Sequence, residues 1–224
     1  QQPLLAHFLH GGRVLMFATF AFIVLTLVCC FVIDDLFIDL IAFFRRLGPK
    51  LLSDADILRI RSKDEKQIAI IIANWHEANV IGRMISGNIR GVDYKNYHFF
   101  LGVYPNDMET LIAVQNLEAA FPKKIHMVIN DKDGPTSKGQ MLNEVVRGVL
   151  EFEKYFKYKF DVFLMHDSED IMHPLSLKVI NVEIEKAEFL QTPVFSFDRP
   201  IKEWVGSTYI EEFAEIHTKD LFVR

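Results

Sequence analysis

At 224 residues the chain has room for one domain of ordinary size and an appendage, not for two large domains. A formal net charge of −5 gives no broad cationic field, which argues against a nucleic-acid partner. Cys29 and Cys30 are adjacent inside an apolar run, so they fit neither a disulfide framework nor a spaced metal site.

In chain order, the first feature is residues 14–33, VLMFATFAFIVLTLVCCFVI, 20 residues without a charge. That length crosses a hydrocarbon core of ~30 Å at helical rise, and predicts a transmembrane helix. A signal peptide is the competing reading, but its apolar region is usually shorter and no small-x-small cleavage site precedes Asp34. Arg13 precedes the run, whereas Arg45, Arg46 and Lys50 follow it, so the positive-inside rule places the remainder in the cytoplasm. Residues 34–47 carry Leu36, Phe37, Leu40, Ile41, Phe43 and Phe44 at helical spacing. Such a stripe fits an amphipathic helix lying on lipid, and equally a segment packed on other protein. The expected organisation is a membrane anchor over 1–50, a linker over 51–66 and a further domain over 67–224.

From Gln67 short apolar runs alternate with helical patterns, the signature of a mostly parallel α/β sheet. KQIAIIIANW, YHFFLGVY, IHMVIN and DVFLMH predict four buried strands. Helices are expected over 79–90, from near Asp107 to Phe121, over SKGQMLNEVVRGVLEFEKYF, and from Pro174 to about Lys186, the proline standing at a permitted first-turn position. FLQTPVFSF reads as a further strand and 207–223 as a helix. Ligands of such sheets bind beyond the carboxyl ends of the strands.

Those ends carry the chemistry. After the fourth strand, Asp167, Glu169 and Asp170 put three carboxylates within four residues, an arrangement that costs free energy unless a cation compensates. Oxygen ligands suit Mg²⁺ or Mn²⁺, which complete their shell with water and substrate phosphate. Asp167 and Glu169 are the candidate metal pair, and Asp170 either orients them or contacts a sugar. Capping of the following helix explains one carboxylate but not three. His166 and His173 lack the companions that zinc needs. Lys138, just ahead of a helix amino terminus, suits an anion; Gly134 and Gly139 have P-loop spacing, but Gln140 and Met141 stand where that motif needs lysine and a hydroxyl. After the first strand, Ala73, Asn74, Trp75 and Glu77 lie at the right end to meet a nucleoside, although Trp75 also suits a core. After the second, Asp107 is either a ligand contact or a helix cap.

Taken in order, these segments resemble the amino-terminal half of family 2 glycosyltransferases. ANWHE stands in the place of the family's P-x-Y-N-E, and SKGQMLN resembles G-K-x-x-A-L-N, matching at Lys138, Leu142 and Asn143. HDSEDIMHPLSL resembles the D-A-E-D-x-P-x-P-x-Q-L form of cellulose-synthase-like members, with Asp167 and Glu169 on the metal and diphosphate D-x-D. More narrowly, DDLFIDL after the span and the run from ANWHEANVIGRMI to HDSEDIMHP are similar to the bacteriophage adsorption protein B family of inner-membrane glycosyltransferases.

The resemblance implies a bacterial inner-membrane enzyme with a GT-A fold, an inverting mechanism and a UDP-sugar donor, a UDP-N-acetylhexosamine by family precedent. It further implies a polysaccharide acceptor, an outer-membrane export or receptor partner, and control by cyclic di-GMP through a separate domain. Ala73, Asn74, Glu77, Asp107, Lys138 and Asp167 would then meet the donor, with Asp167 and Glu169 on the cation. Two departures stand out. The family's D-D-G-S-x-D reads GVYPND here, so the aspartate that meets uracil is missing and only Asp107 matches the later acid. No T-E-D or Q-x-x-R-W element occurs up to Arg224, which places the expected catalytic base beyond this chain.

Overall fold

A computed structural model describes residues 2–47 and 51–196, together with 208, 210, 214–217 and 223. The chain divides into two compact units, residues 52–190 and residues 1–51 with 191–224.

The first element is one continuous helix, α1 (Gln2–Arg45), which runs through both the apolar stretch and the segment expected as a separate amphipathic helix. No proline or glycine interrupts the sequence between Val14 and Arg45, so nothing breaks the helical ladder there. Over Val14–Arg45 it is long and apolar enough to cross a membrane, and the side chains from 14 to 36 are exposed. Its two threonines satisfy their hydroxyls within the helix, Thr19 donating to the Leu15 carbonyl at 2.9 Å and Thr26 to that of Phe22 at 2.8 Å.

The stretch expected to be a linker instead contains α2 (Asp54–Ser62). Ser53 and Asp56 form a reciprocal capping box at its start, each side chain bonding the other's backbone N–H at 3.2 Å. Only Ile60 of this helix is buried, which is why apolar periodicity failed to announce it.

The four expected strands form β1 (Ile68–Ala73), β2 (Tyr97–Val103), β3 (Ile125–Ile129) and β4 (Val162–His166). All pairs are parallel, in the order β3-β2-β1-β4. Between them run α3 (Ala78–Gly91), α4 (Met108–Ala120) and α5 (Lys138–Phe156). α6 (Ser176–Glu183) follows β4 and ends in a 3-10 turn (Ile184–Lys186), so it starts two residues after the expected Pro174.

Alternation along β1 builds a core on each face of the sheet. Ile68, Ile70 and Ile72 join Ile81 and Ile85 of α3, Val114 of α4 and Leu177 of α6. Ala69 and Ile71 turn the other way to Met141, Val145 and Val149 of α5. The fit beneath α5 is tight: a Cβ on Gly102 would lie 2.5 Å from Val145, and one on Gly148 would lie 2.6 Å from Val128.

The segment 189–196 is not a strand, contrary to expectation. Pro193 lacks the N–H that a ladder needs, and Gln191 onward belongs to the other unit. Most of the helix expected over 207–223 lies outside the described residues.

The chain builds the sheet outward from β1 through β2 to β3, then α5 carries it back to β4 on the far side of β1. The direction of winding therefore reverses between β1 and β4, and the crevice beyond their carboxyl ends is the place where such sheets take ligands.

Candidate functional site

A cleft of about 320 Å³ occupies that crevice. Ala73, Asn74, Trp75 and Glu77 after β1 line it together with Tyr104 after β2, and Pro135, Thr136, Lys138 and Met141 at the start of α5. Asp167, Ser168 and Glu169 after β4 complete it. Of the site residues expected from sequence, Ala73, Asn74, Glu77, Lys138, Asp167 and Glu169 therefore meet in one place, whereas Asp107 and Asp170 do not line the cleft.

The acidic loop continues the in-and-out alternation of β4. Asp167 and Glu169 are exposed, while Ser168 between them is buried and donates to Asn74 Oδ1 at 3.0 Å. The Asn74 amide in turn donates to the Gly102 carbonyl at 2.9 Å, so this asparagine is fully engaged in tying β1, β2 and the acidic loop together. Asp170 turns back into the loop and accepts the Asp167 backbone N–H at 2.9 Å. Its Oδ2 lies 3.2 Å from His166 Nδ1, an ion-pair distance, and the imidazole beside it is the main reason the carboxyl is held below its ordinary range. Asp170 does not cap α6, whose first flanking residue is Leu175.

A residue that sequence reasoning missed anchors the far side of this loop. Asn88, buried on α3, donates to the Asp170 carbonyl and accepts the Met172 N–H, both at 2.9 Å. An isolated asparagine in a helical pattern carries no signal of such a role, since the loop it grips is 82 residues away.

Opposite the acidic loop, Lys138 forms an ion pair with Asp167. It is the first residue of α5, whose amino terminus is capped by Ser137 accepting the Gln140 N–H at 3.2 Å. Cation and helix end together favour an anion here. The charge balance of the cleft is nonetheless negative around Glu77. Partial burial, followed by the charges of Glu169, Asp107 and Asp167, raises the Glu77 carboxyl above its ordinary range.

The remaining wall is aromatic and braced. Trp75 meets Tyr104 edge to face with ring centroids 5.2 Å apart. A Cβ on Gly134 would fall 2.4 Å from Trp75 and 2.6 Å from Tyr104, so only glycine fits there. Asn106 holds Gly134 through its amide and carbonyl, both at 2.7 Å, and the Tyr104 hydroxyl shares a 2.7 Å hydrogen bond with Thr136.

Asp107 is 3% exposed. It caps α4, accepting the Thr110 N–H at 3.3 Å, and accepts the His76 N–H at 2.7 Å. Burial alone would raise its carboxyl; these hydrogen bonds outweigh burial and hold it below the usual range.

The parallel sheet reverses between β1 and β4, and its crevice sets paired carboxylates against a lysine at a helix end, within a glycosyltransferase-like α/β fold. The chain belongs to the glycosyltransferase-like family 2, whose model matches residues 66–224. It is 38% identical over 197 residues, 86% of its length, to Bacteriophage adsorption protein B of Escherichia coli (strain K12). The Bacteriophage N4 adsorption protein B of Escherichia coli O157:H7 matches to the same extent. The chain spans 26% of the length of these relatives. Among solved structures it is similar to S. aureus TarS, with 14% identity, a TM-score of 0.46, and coverage of 60% of this chain and 37% of that one. The mannosyltransferase PcManGT from Pyrobaculum calidifontis, in complex with GDP-Man and Mn2+, is 13% identical with a TM-score of 0.44, covering 66% of this chain and 43% of that one.

Proposed function

We propose that this chain carries the donor-binding half of a membrane-anchored, inverting glycosyltransferase that uses a UDP-sugar and a divalent cation. The observation that carries the reading is the meeting of Asp167 and Glu169 with Lys138, beside Trp75, in the crevice between β1 and β4. The donor residues fit Mg²⁺ or Mn²⁺. Among the described residues no three histidine, cysteine or acidic side chains form a cage. Two exposed carboxylates, with phosphate and water making up the shell, suit these ions; partial burial, then the charges of Glu169, Asp107 and Asp167, raise the nearby Glu77 carboxyl.

Asp167 and Glu169 would hold the cation against the diphosphate, and the Lys138 ammonium would leave Asp167 for a phosphate oxygen. When bound, the cation supplies electrophilic stabilisation of charge developing on the leaving diphosphate. Ala73, Asn74, Trp75 and Glu77 form the nucleoside side of the cleft. A general base would deprotonate the acceptor hydroxyl for a single in-line displacement. In the wider reading, the donor is a UDP-N-acetylhexosamine, the product an exopolysaccharide, and α1 anchors the domain on the cytoplasmic face of the inner membrane. Cyclic di-GMP would act through a further domain, and an outer-membrane protein would receive the product.

The test is calorimetric titration of the detergent-solubilised chain with UDP, with and without Mn²⁺, beside Asp167→Ala. Manganese-dependent binding that the substitution removes supports the donor site, and the same substitution in the complete enzyme abolishes turnover. A second reading, a non-catalytic membrane scaffold that retains the fold, is favoured by the GVYPND turn, where Tyr104 is buried and supplies no carboxylate. A folded chain that ignores UDP with and without Mn²⁺, in a protein that hydrolyses no UDP-sugar, would select it.

A further inference from the structure

His76 lies between two residues that line the cleft, Trp75 and Glu77, and has a φ of 59°. That left-handed conformation is disfavoured for any residue with a Cβ and persists where the surroundings impose it. Here two buried side chains at the start of α4 impose it. Asp107 accepts the His76 N–H at 2.7 Å and keeps its other oxygen 3.6 Å from His76 Nδ1. Thr110, fully buried, accepts the next N–H along, that of Glu77, at 3.0 Å. The His76 ring lies 4.2 Å from the Trp75 ring. Asp107 does not line the cleft, and the distance from its carboxylate to the cleft is bridged by the His76 backbone.

We propose that Asp107 and Thr110 are positioning residues for the cleft: they clip the turn after β1 to the start of α4 and so hold Trp75 and Glu77 where a nucleotide meets them. Asp107 acts through His76, not by touching the donor. The inference rests on the reading of the cleft as a donor site for its functional consequence, but the clip itself is measurable without a nucleotide.

The experiment uses the detergent-solubilised 224-residue chain in a Trp204→Phe background, which leaves Trp75 as the sole tryptophan. Asp107→Ser keeps a good helix cap for the Thr110 N–H but is too short to reach His76. His76→Val leaves Asp107 intact and disfavours the left-handed turn, whereas His76→Asn tolerates it. Three readouts are taken: the thermal midpoint, acrylamide quenching of Trp75, and affinity for UDP with Mn²⁺. Asp107→Ser and His76→Val are expected to raise quenching about twofold and weaken UDP binding about tenfold, with the Asp107→Ser midpoint near the parent value. His76→Asn restores both, and the double variant is no worse than either single change because both break one clip.

Unchanged quenching in both variants overturns the inference and leaves Asp107 as a helix cap alone. UDP affinity lost in Asp107→Ser but kept in His76→Val also overturns it, since Asp107 would then touch the ligand. If the parent chain does not bind UDP, the donor reading fails separately, and the quenching comparison still decides whether the clip exists.

Discussion

Two sets of polar residues surround the cleft, and they differ in how much of their bonding capacity is committed. Asn74, Asn88, Asp107 and Ser168 are 1% to 5% exposed, and each has its side chain bonded to protein. Asp167, Glu169 and Lys138 are exposed, joined only by the open ion pair of Lys138 with Asp167. The first set fixes loops; the second is free to exchange partners when a charged ligand arrives. Burial with satisfied hydrogen bonds separates committed from uncommitted groups better than residue type does, because aspartates stand on both sides of the division.

Substitutions can break this contrast. Asn88→Ala strips two hydrogen bonds from the loop at Asp170 and Met172 and leaves buried backbone groups unpaired, which should cost roughly 2–4 kcal/mol in a denaturant titration. If stability is unchanged, the loop is held by something other than Asn88. Gly134→Ala forces a methyl against Trp75 and Tyr104 and should cost about 1–3 kcal/mol, with weakened UDP binding in the same preparation.

The scaffold side has an acid-sensitive member far from the cleft. His98 and His126 stack at 5.1 Å with 2.8 Å between ring nitrogens, among Phe152, Tyr158 and Phe160. Burial, then His126 and Lys124, pushes His98 down to about 4. Burial also lowers His126, against the raising influence of Glu118. The unfolded chain therefore binds more protons between pH 6.5 and about 4, and stability falls as pH drops through that window. Melts across that range should show the decline, and His98→Phe should flatten it.

The smallest effect belongs to Glu77. Its raised carboxyl makes the ionised form a cost to the folded state, so stability declines as pH rises through its folded titration. Glu77→Gln in metal-free buffer should raise stability at pH 7 by less than about 1 kcal/mol, while weakening UDP binding. A stability loss would show that the carboxylate has a favourable partner.

The strands were readable because a parallel sheet buried on both faces demands continuous apolar runs such as IAIIIA. The acidic loop was readable because three carboxylates at a strand end need a reason. Much else depends on contacts that no local pattern encodes. Asn74 reads as a ligand contact by position, and only the approach of Ser168 from β4 shows what its oxygen accepts. The His98–His126 pair needs the register that sets Phe99 against Ile125. α2 was hidden because its signal lies in the cap formed by Ser53 and Asp56, not in its apolar face.

Helix α3 acts as a ruler. Glu77 stands at its first flanking position and Asn88 lies eleven residues on, a span of about 16 Å at helical rise. The cleft wall at Glu77 and the grip on the acidic loop are thus mounted on one rod of fixed length and phase. Inserting a single residue between them would turn Asn88 by about 100° away from Met172, even though no side chain in the cleft had changed. Length variation in this protein is therefore tolerable in exposed turns such as 131–133, and intolerable inside α3.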